Sequence, residues 1–447
     1  MSFKYLLNRT ILLLSTLYIC VFHWIMPAYA VPSFSTQTGD ACSSCHVGAY
    51  GPQLTPHGIA FKFSGFTDNN GSKSIPLSVA FNGTFTNTRK DQNPAPNNNS
   101  SNNNVTFQEF SAFFAGKVSD HIGAFAQVTY SDIDHTASLD YVDIRYAKEV
   151  KLFSDSDLAT VGLSLNNSPT VQDPFGSLPV WGYPYIGSNL APSPAAQTLL
   201  QSGLDGRLFG VTAYTLLPNG IYAEGGLYED QSGKLLNIEK IKPDVRSQNA
   251  SPYLRLAYYK PYRESNFSVG VVGMQSKIQP IDSTDGMYDK NSDVGFDANY
   301  LYLGNRRHIF TGSFSYIYER ERRDESYGNG GATNLNGNLK TLNMMGAYTF
   351  ANTYGANLGF FDTVGTFDDL FYPDSANGKP DSRGYIVEGN WTPFGKDNSW
   401  KTPWANVRVG LQYTIYTKFN GARLNYDGAG SNSTDNNTFT TYIWTAF

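Results

Sequence analysis

The chain has 447 residues, 33 basic and 38 acidic, for a formal charge of −5. A mildly acidic chain without a basic run excludes nucleic acid as partner, and three cysteines exclude a disulfide framework. Thirty Tyr, 29 Phe and 42 Gly accompany only 16% charged residues, yet after the first thirty residues no apolar run reaches the roughly 18 residues a membrane helix needs.

Residues 1–30 read as a secretory signal. Lys4 and Arg9 make a basic start, Ile11 to Ile25 is largely apolar, and Ala28-Tyr29-Ala30 is a small-x-small cleavage site. A single membrane anchor is the alternative, but the apolar run is short. Cleavage takes Cys20 with it and leaves 31 basic against 38 acidic residues, a charge of −7.

Residues 31–74 form a small segment that carries Cys42-Ser43-Ser44-Cys45-His46. Two thiols three positions apart can add to the two vinyl groups of a haem, and the next histidine then falls under the iron. One covalent haem c is therefore expected on Cys42 and Cys45, with His46 as proximal iron ligand. Half of a zinc site is the alternative, but a closed site needs further N or S ligands. His57 is the only other His or Met between Val31 and Ile75 and is the candidate distal ligand; a solvated histidine is the bland reading. A segment this short cannot bury a core unaided, so Phe61, Phe63 and Phe66 are expected to pack on the porphyrin or on a neighbouring wall.

Residues 75–447 repeat a period-two pattern broken by turn residues. Leu77, Val79, Phe81 and Phe85 alternate with Ser78, Asn82, Thr84 and Thr86, and Val142, Ile144 and Tyr146 alternate with Tyr141, Asp143 and Arg145. Segments of this kind start near residues 76, 106, 122, 139, 158, 207, 221, 253, 267, 294, 309, 339, 356, 383, 405 and 437. Each is about ten residues long, enough for a tilted strand to cross a bilayer. The fold class is all-β: a transmembrane outer-membrane β-barrel of about 16 antiparallel strands, preceded by a small monohaem cytochrome c segment. Short connections such as Ser119-Asp120-His121 and Pro218-Asn219-Gly220 alternate with long ones such as 91–104 and 166–206. This places both termini in the periplasm. A terminal Phe447 on the stripe of Phe439, Thr441, Ile443 and Thr445 ends the chain as an outer-membrane strand would.

Four runs carry a family resemblance. Val-Pro-Ser-Phe-Ser-Thr-Gln-Thr-Gly-Asp-Ala at 31–41 and Leu54-Thr55-Pro56-His57-Gly58-Ile59-Ala60-Phe61-Lys62-Phe63-Ser64-Gly65-Phe66-Thr67 flank the haem motif. Asn167-Ser168-Pro169-Thr170-Val171-Gln172-Asp173 and Trp181-Gly182-Tyr183-Pro184 lie in the long loop after the fifth strand. They resemble the fused cytochrome-porin family, whose best-known members are outer-membrane monohaem iron oxidases of Fe(II)-oxidising bacteria. The resemblance implies an electron-transfer oxidoreductase. Extracellular Fe(II) would be the donor and a periplasmic carrier, a cytochrome c or similar, the acceptor. Outer-membrane lipid would surround a monomer. A diffusion porin with the cytochrome as plug or redox gate, or a conduit for another donor, is the alternative. Asp173, Glu229 and Asp230 are loop carboxylates that could meet Fe(II) or stay solvated.

Overall fold

The computed structural model describes residues 33–49, 51–69, 77–152, 154, 157–204, 207–231, 236, 245–280, 283, 286–396, 399 and 405–447. The expected secretory leader lies outside the described residues. Three short helices come first: α1 (Ser33–Thr38), α2 (Cys42–Cys45) and α3 (Pro56–Phe63). The strands are β1 (Leu77–Thr88), β2 (Asn104–Lys117), β3 (Ile122–Ser131), β4 (Thr136–Lys151), β5 (Leu158–Asn166) and β6 (Leu208–Leu216). They continue as β7 (Ile221–Asp230), β8 (Val245–Ser247), β9 (Ser251–Tyr262), β10 (Ser265–Pro280), β11 (Asp289–Tyr302) and β12 (His308–Arg323). Five more complete the wall: β13 (Asn336–Phe350), β14 (Tyr354–Gly365), β15 (Ser382–Trp391), β16 (Asn406–Lys418) and β17 (Thr438–Ala446).

All seventeen belong to one sheet in which sequence neighbours pair. The three-residue β8 only extends the ladder of β10, Val245 opposite Pro280, so sixteen strands span the wall. Antiparallel pairing of β1 with β17, from Ala80↔Ala446 to Thr88↔Thr438, closes it. Closure satisfies every edge, the condition for a sheet to cross lipid.

The two faces separate by the period of the pleat. Leu77, Phe114, Leu163, Val211, Leu254, Val294, Phe310, Leu358 and Leu411 point outward and are 47–66% exposed. An apolar belt this continuous cannot face water; the barrel is of the membrane-spanning, outer-membrane type. Tyr262, Tyr302, Tyr354 and Trp391, all exposed, sit at the short-turn end where a bilayer interface would take them. The inner face carries Thr84, Gln108, Arg145, Thr212, Glu224, Arg255, Asp297 and Glu388, all buried.

Each expected strand start falls within five residues of an observed one. Short and long connections alternate with two departures. Residues 132–135 make a tight turn where a long loop was expected, because β4 begins at Thr136 and absorbs its residues; residues 392–405 make a long connection at the short-turn end. Phe447 donates to the Val79 carbonyl at 2.8 Å, so the chain ends beside the start of β1.

A sixteen-strand barrel is wide enough for an aqueous channel unless something fills it. Here two segments pack inside the wall. The connection between β5 and β6 folds inward: Asn189 donates to Gln108 Oε1 (3.0 Å), Leu199 to Glu319 Oε2 (2.7 Å) and Leu200 to Asp293 Oδ2 (2.8 Å). Leu178, Leu200 and Leu204 join Tyr228, Tyr253, Val272 and Ile317 of the wall in an apolar cluster. The second filler is the segment that carries the cysteines.

Candidate haem site

Residues 33–69 dock at the short-turn end. Arg408 of β16 donates to the Gly48 carbonyl (3.1 Å), Asn406 Nδ2 to that of Ala49 (3.1 Å), and the Gly48 amide to Asn352 Oδ1 (3.2 Å). On the far side, a Cβ at Gly123 in β3 would collide with the Gly65 carbonyl, so only glycine lets the segment seat there.

Pro at its first turn and Thr55 as cap set the start of α3, with Thr55 Oγ1 accepting from the Gly58 amide at 3.3 Å. The same hydroxyl donates to the Ser44 carbonyl (2.5 Å) and the Thr55 amide to that of Cys45 (2.8 Å), which ties α3 to the cysteine turn. A Cβ at Gly58 would strike the Cys45 carbonyl oxygen.

Cys42, Cys45 and His46 border a cavity of about 540 Å³, inside the range of about 300–1,000 Å³ typical for a cofactor pocket. Its lining brings together three sources: Phe34, Phe61 and Phe66 of the segment, Trp181 and Tyr185 of the inward connection, and Phe113, Phe125, Tyr141 and Trp444 of the wall. Both thiols are free. Burial pushes the Cys42 thiol up and Cys45 up to about 12, the latter helped by Asp40. His46 Nδ1 lies 2.5 Å from the Gly51 carbonyl oxygen. An N–H donated there leaves Nε2 as the free ligating atom, the usual arrangement for a metal-bound imidazole. Burial lowers the His46 pKa and keeps the ring neutral, the form a ligand must have.

The residues fit a covalently held haem: two thiols on one turn, an oriented imidazole and an aromatic cavity beside them. Cys42 and Cys45 would hold the vinyl carbons and His46 the iron. Lys62 is the only Lys or Arg among the described lining residues, and would face a propionate. Its ammonium donates to the carbonyls of Val171 (2.8 Å) and Asp173 (2.9 Å) and sits 4.7 Å over the Trp181 ring. Burial, and next the Arg145 charge, lower it to about 7 against Asp143, Asp173 and Glu224.

Two expectations read differently in the structure. Phe61 lines the cavity and meets Phe34 edge to face and Phe66 at a tilt, with ring centroids at 4.9 and 5.8 Å. Phe63 does not: two residues on, it points to the opposite face of α3 and meets Tyr222, Phe175 and Tyr259 at 5.5, 5.8 and 6.3 Å. It anchors the segment to the wall. The His57 ring is 50% exposed, with Nε2 3.0 Å from Asp40 Oδ2, and is not part of the described lining, in which His46 is the only His or Met. Of the loop carboxylates, Asp173 is fully buried on Arg255 (3.1 Å), Glu229 is exposed, and Asp230 accepts from the Ser247 amide (2.7 Å).

No protein-family model matches the chain, and no curated protein matches it. Among solved structures, the barrel is similar to OmpF of Salmonella typhi in complex with daunomycin, at 12% identity and TM-score 0.46 over 83% of this chain and 97% of that one. It is also similar to the outer membrane channel DcaP of Acinetobacter baumannii (12%, 0.46, 83% and 96%). A third likeness is to a loop-deletion mutant of the outer membrane protein OmpT of Vibrio cholerae (11%, 0.44, 84% and 99%).

Proposed function

We propose that this chain is an outer-membrane electron conduit built on one covalent c-type haem, with its termini in the periplasm. The observation that carries this reading is the position of Cys42, Cys45 and His46 on a large aromatic cavity inside a membrane-spanning barrel. A bound haem would supply a one-electron couple inside the wall, entered from the short-turn end. The chain's own residues do the rest. The inward connection covers the cavity, His46 holds its ring by Gly51, and Lys62 offsets negative charge. Fe(II) as donor follows from the resemblance of the flanking segments to fused cytochrome-porins, and from the insolubility of Fe(III), which is best formed outside the cell. A periplasmic cytochrome c or similar carrier would take the electron.

His57 is proposed as distal ligand by position. It lies one turn before the cavity residue Phe61 on α3, and its ring must leave Asp40 to reach an iron. Purified protein mixed anaerobically with Fe(II) should show the reduced haem band, and His57→Ala should change the oxidised spectrum. A haem that stays oxidised at a favourable potential ends the iron reading; an unchanged spectrum removes His57.

A second reading is a diffusion porin gated by the same segment, favoured by the polar inner wall of the barrel. It requires solute flux in liposomes that rises on a change of haem redox state.

A further inference from the structure

The cavity lining also carries polar side chains of the wall that the haem assignment leaves unused. We infer that these form a docking site for a divalent transition-metal cation, held by the Glu109 and Asp140 carboxylates and the Asn82 amide oxygen. The inference rests on the conduit reading and names where its donor would sit.

Asn82 of β1 is 5% exposed and lines the cavity, and its Oδ1 has no hydrogen-bond partner among the described residues. An orphaned buried acceptor is costly to leave unmade, so such an atom points to a ligand that completes it. Glu109 is its direct partner across the β1–β2 ladder. Strict alternation would send Glu109 to lipid, because Gln108 before it already faces inward. A register shift at Asn82/Gly83 prevents this: Gly83 pairs with Phe107, Gln108 is left without a partner, and Glu109 also lines the cavity. Asp140 is placed the same way. Gln127 pairs with Tyr141 and Val128 with Leu139, so Asp140 is the extra residue of a second irregularity. Bulges that re-aim a side chain gather beside functional sites, and here two of them turn two carboxylates into the cavity that the orphaned Asn82 lines.

Asp140 accepts from Ser138 Oγ (2.9 Å) and Gln127 Nε2 (3.3 Å), which orient it, and it lies within electrostatic reach of Glu109. Along β1, which starts at the short-turn end, Asn82 lies farther toward the long-loop end than Ser78, whose hydroxyl meets that of Ser33 at 2.8 Å. Three oxygen donors of net negative charge suit a hard or borderline cation such as Fe(II) or Mn(II) and leave positions for water. A set this small gives weak, exchangeable binding, as a substrate needs.

The test uses Mn(II), a redox-inert probe, titrated into the full-length protein in detergent, with free Mn(II) read by electron paramagnetic resonance. Wild type should bind one Mn(II) with a dissociation constant of roughly 10⁻⁴ to 10⁻³ M. Glu109→Gln and Asp140→Asn should each weaken it about tenfold, with the barrel's heat-modifiable gel mobility retained. No binding by wild type, or identical titrations in the variants, overturns the site; a buried water on Asn82 would give that result. Anaerobic reduction of the haem by Fe(II) separates the two claims. Equal second-order rates in wild type and the double variant sink the site and spare the iron reading. Carboxylate-dependent Mn(II) binding with an unreduced haem does the reverse.

Discussion

Replacement of Asp173 by alanine should open the barrel. Asp173 is the node of the inward connection. Its carboxylate accepts from the amides of Phe175 (3.2 Å), Ser177 (3.0 Å) and Leu178 (3.1 Å), and pairs with Arg255 at 3.1 Å with both side chains fully buried. Arg255 keeps Asp297, at 2.9 Å, as its second partner. Removing one member of a buried ion pair costs about 3–5 kcal/mol, and three amides lose a charged acceptor besides, each a loss of about 1–3 kcal/mol where it stays buried. The ladders of the wall do not use this carboxylate, so the loss falls on the docking of the loop. Sub-global openings cost from near zero up to the full stability of a protein, and a loss of about 5 kcal/mol populates the undocked loop. Single-channel conductance in planar bilayers should rise severalfold in Asp173→Ala. It should rise less in Asp173→Asn, which keeps an acceptor for the amides, and not at all in the exposed control Glu229→Ala. Wild-type conductance in Asp173→Ala, with the barrel intact by gel mobility, would refute the assignment of this loop as the plug.

Three further outcomes follow from the docked segment. Gly58→Ala forces α3 off the Cys45 carbonyl, a strain of about 1–3 kcal/mol, and should lower the haem content per protein by pyridine haemochrome assay, whereas exposed Ala60→Ser should not. Phe63→Ala empties a buried site worth about 3–5 kcal/mol; hydrogen exchange of residues 56–66 should speed up while the strands stay protected. Lys62 loses its charge as pH rises through about 7. Below that value the ammonium favours the less positive, reduced iron, so the midpoint potential should fall as pH passes it. In Lys62→Met that step should vanish, and an equal slope in both proteins rules Lys62 out.

Most of the wall was legible in the sequence because lipid and lumen impose opposite polarity on alternate residues, and an exposed Phe310 or Leu411 beside a buried Thr311 or Gln412 is visible in one dimension. The three-residue β8 carries too few alternations to be seen. The Cys42, Cys45 and His46 motif stands out in the sequence because covalent haem attachment would fix that spacing. The rest of the site does not, for a reason that lies in the wall itself. Glu109 and Asp140 reach the cavity at irregularities, where the period that reveals a strand breaks down. Phe63 could have been separated from Phe61 by the 100° step of a helix, had α3 been recognised as helical through its Thr55-Pro56 start.

The long connection from 167 to 204 was read as an outer loop, and its inward course explains why a cysteine-bearing segment of fewer than forty described residues finds a packed place inside the wall. Such a segment cannot bury a cofactor alone. Trp181 and Tyr185 from the connection, and Phe113, Phe125 and Tyr141 from the wall, supply the surfaces it lacks. The barrel wall and the inward connection thus supply most of the lining of the cavity beside the two thiols. The two fillers also depend on each other, since Lys62 of one is held by the carbonyls of Val171 and Asp173 of the other, and Arg145 of the wall bridges the Lys62 and Gln172 carbonyls at 3.1 and 2.6 Å. Loss of either should loosen its neighbour. In this barrel, the elements that fill the lumen are the same ones that enclose the cavity beside Cys42, Cys45 and His46.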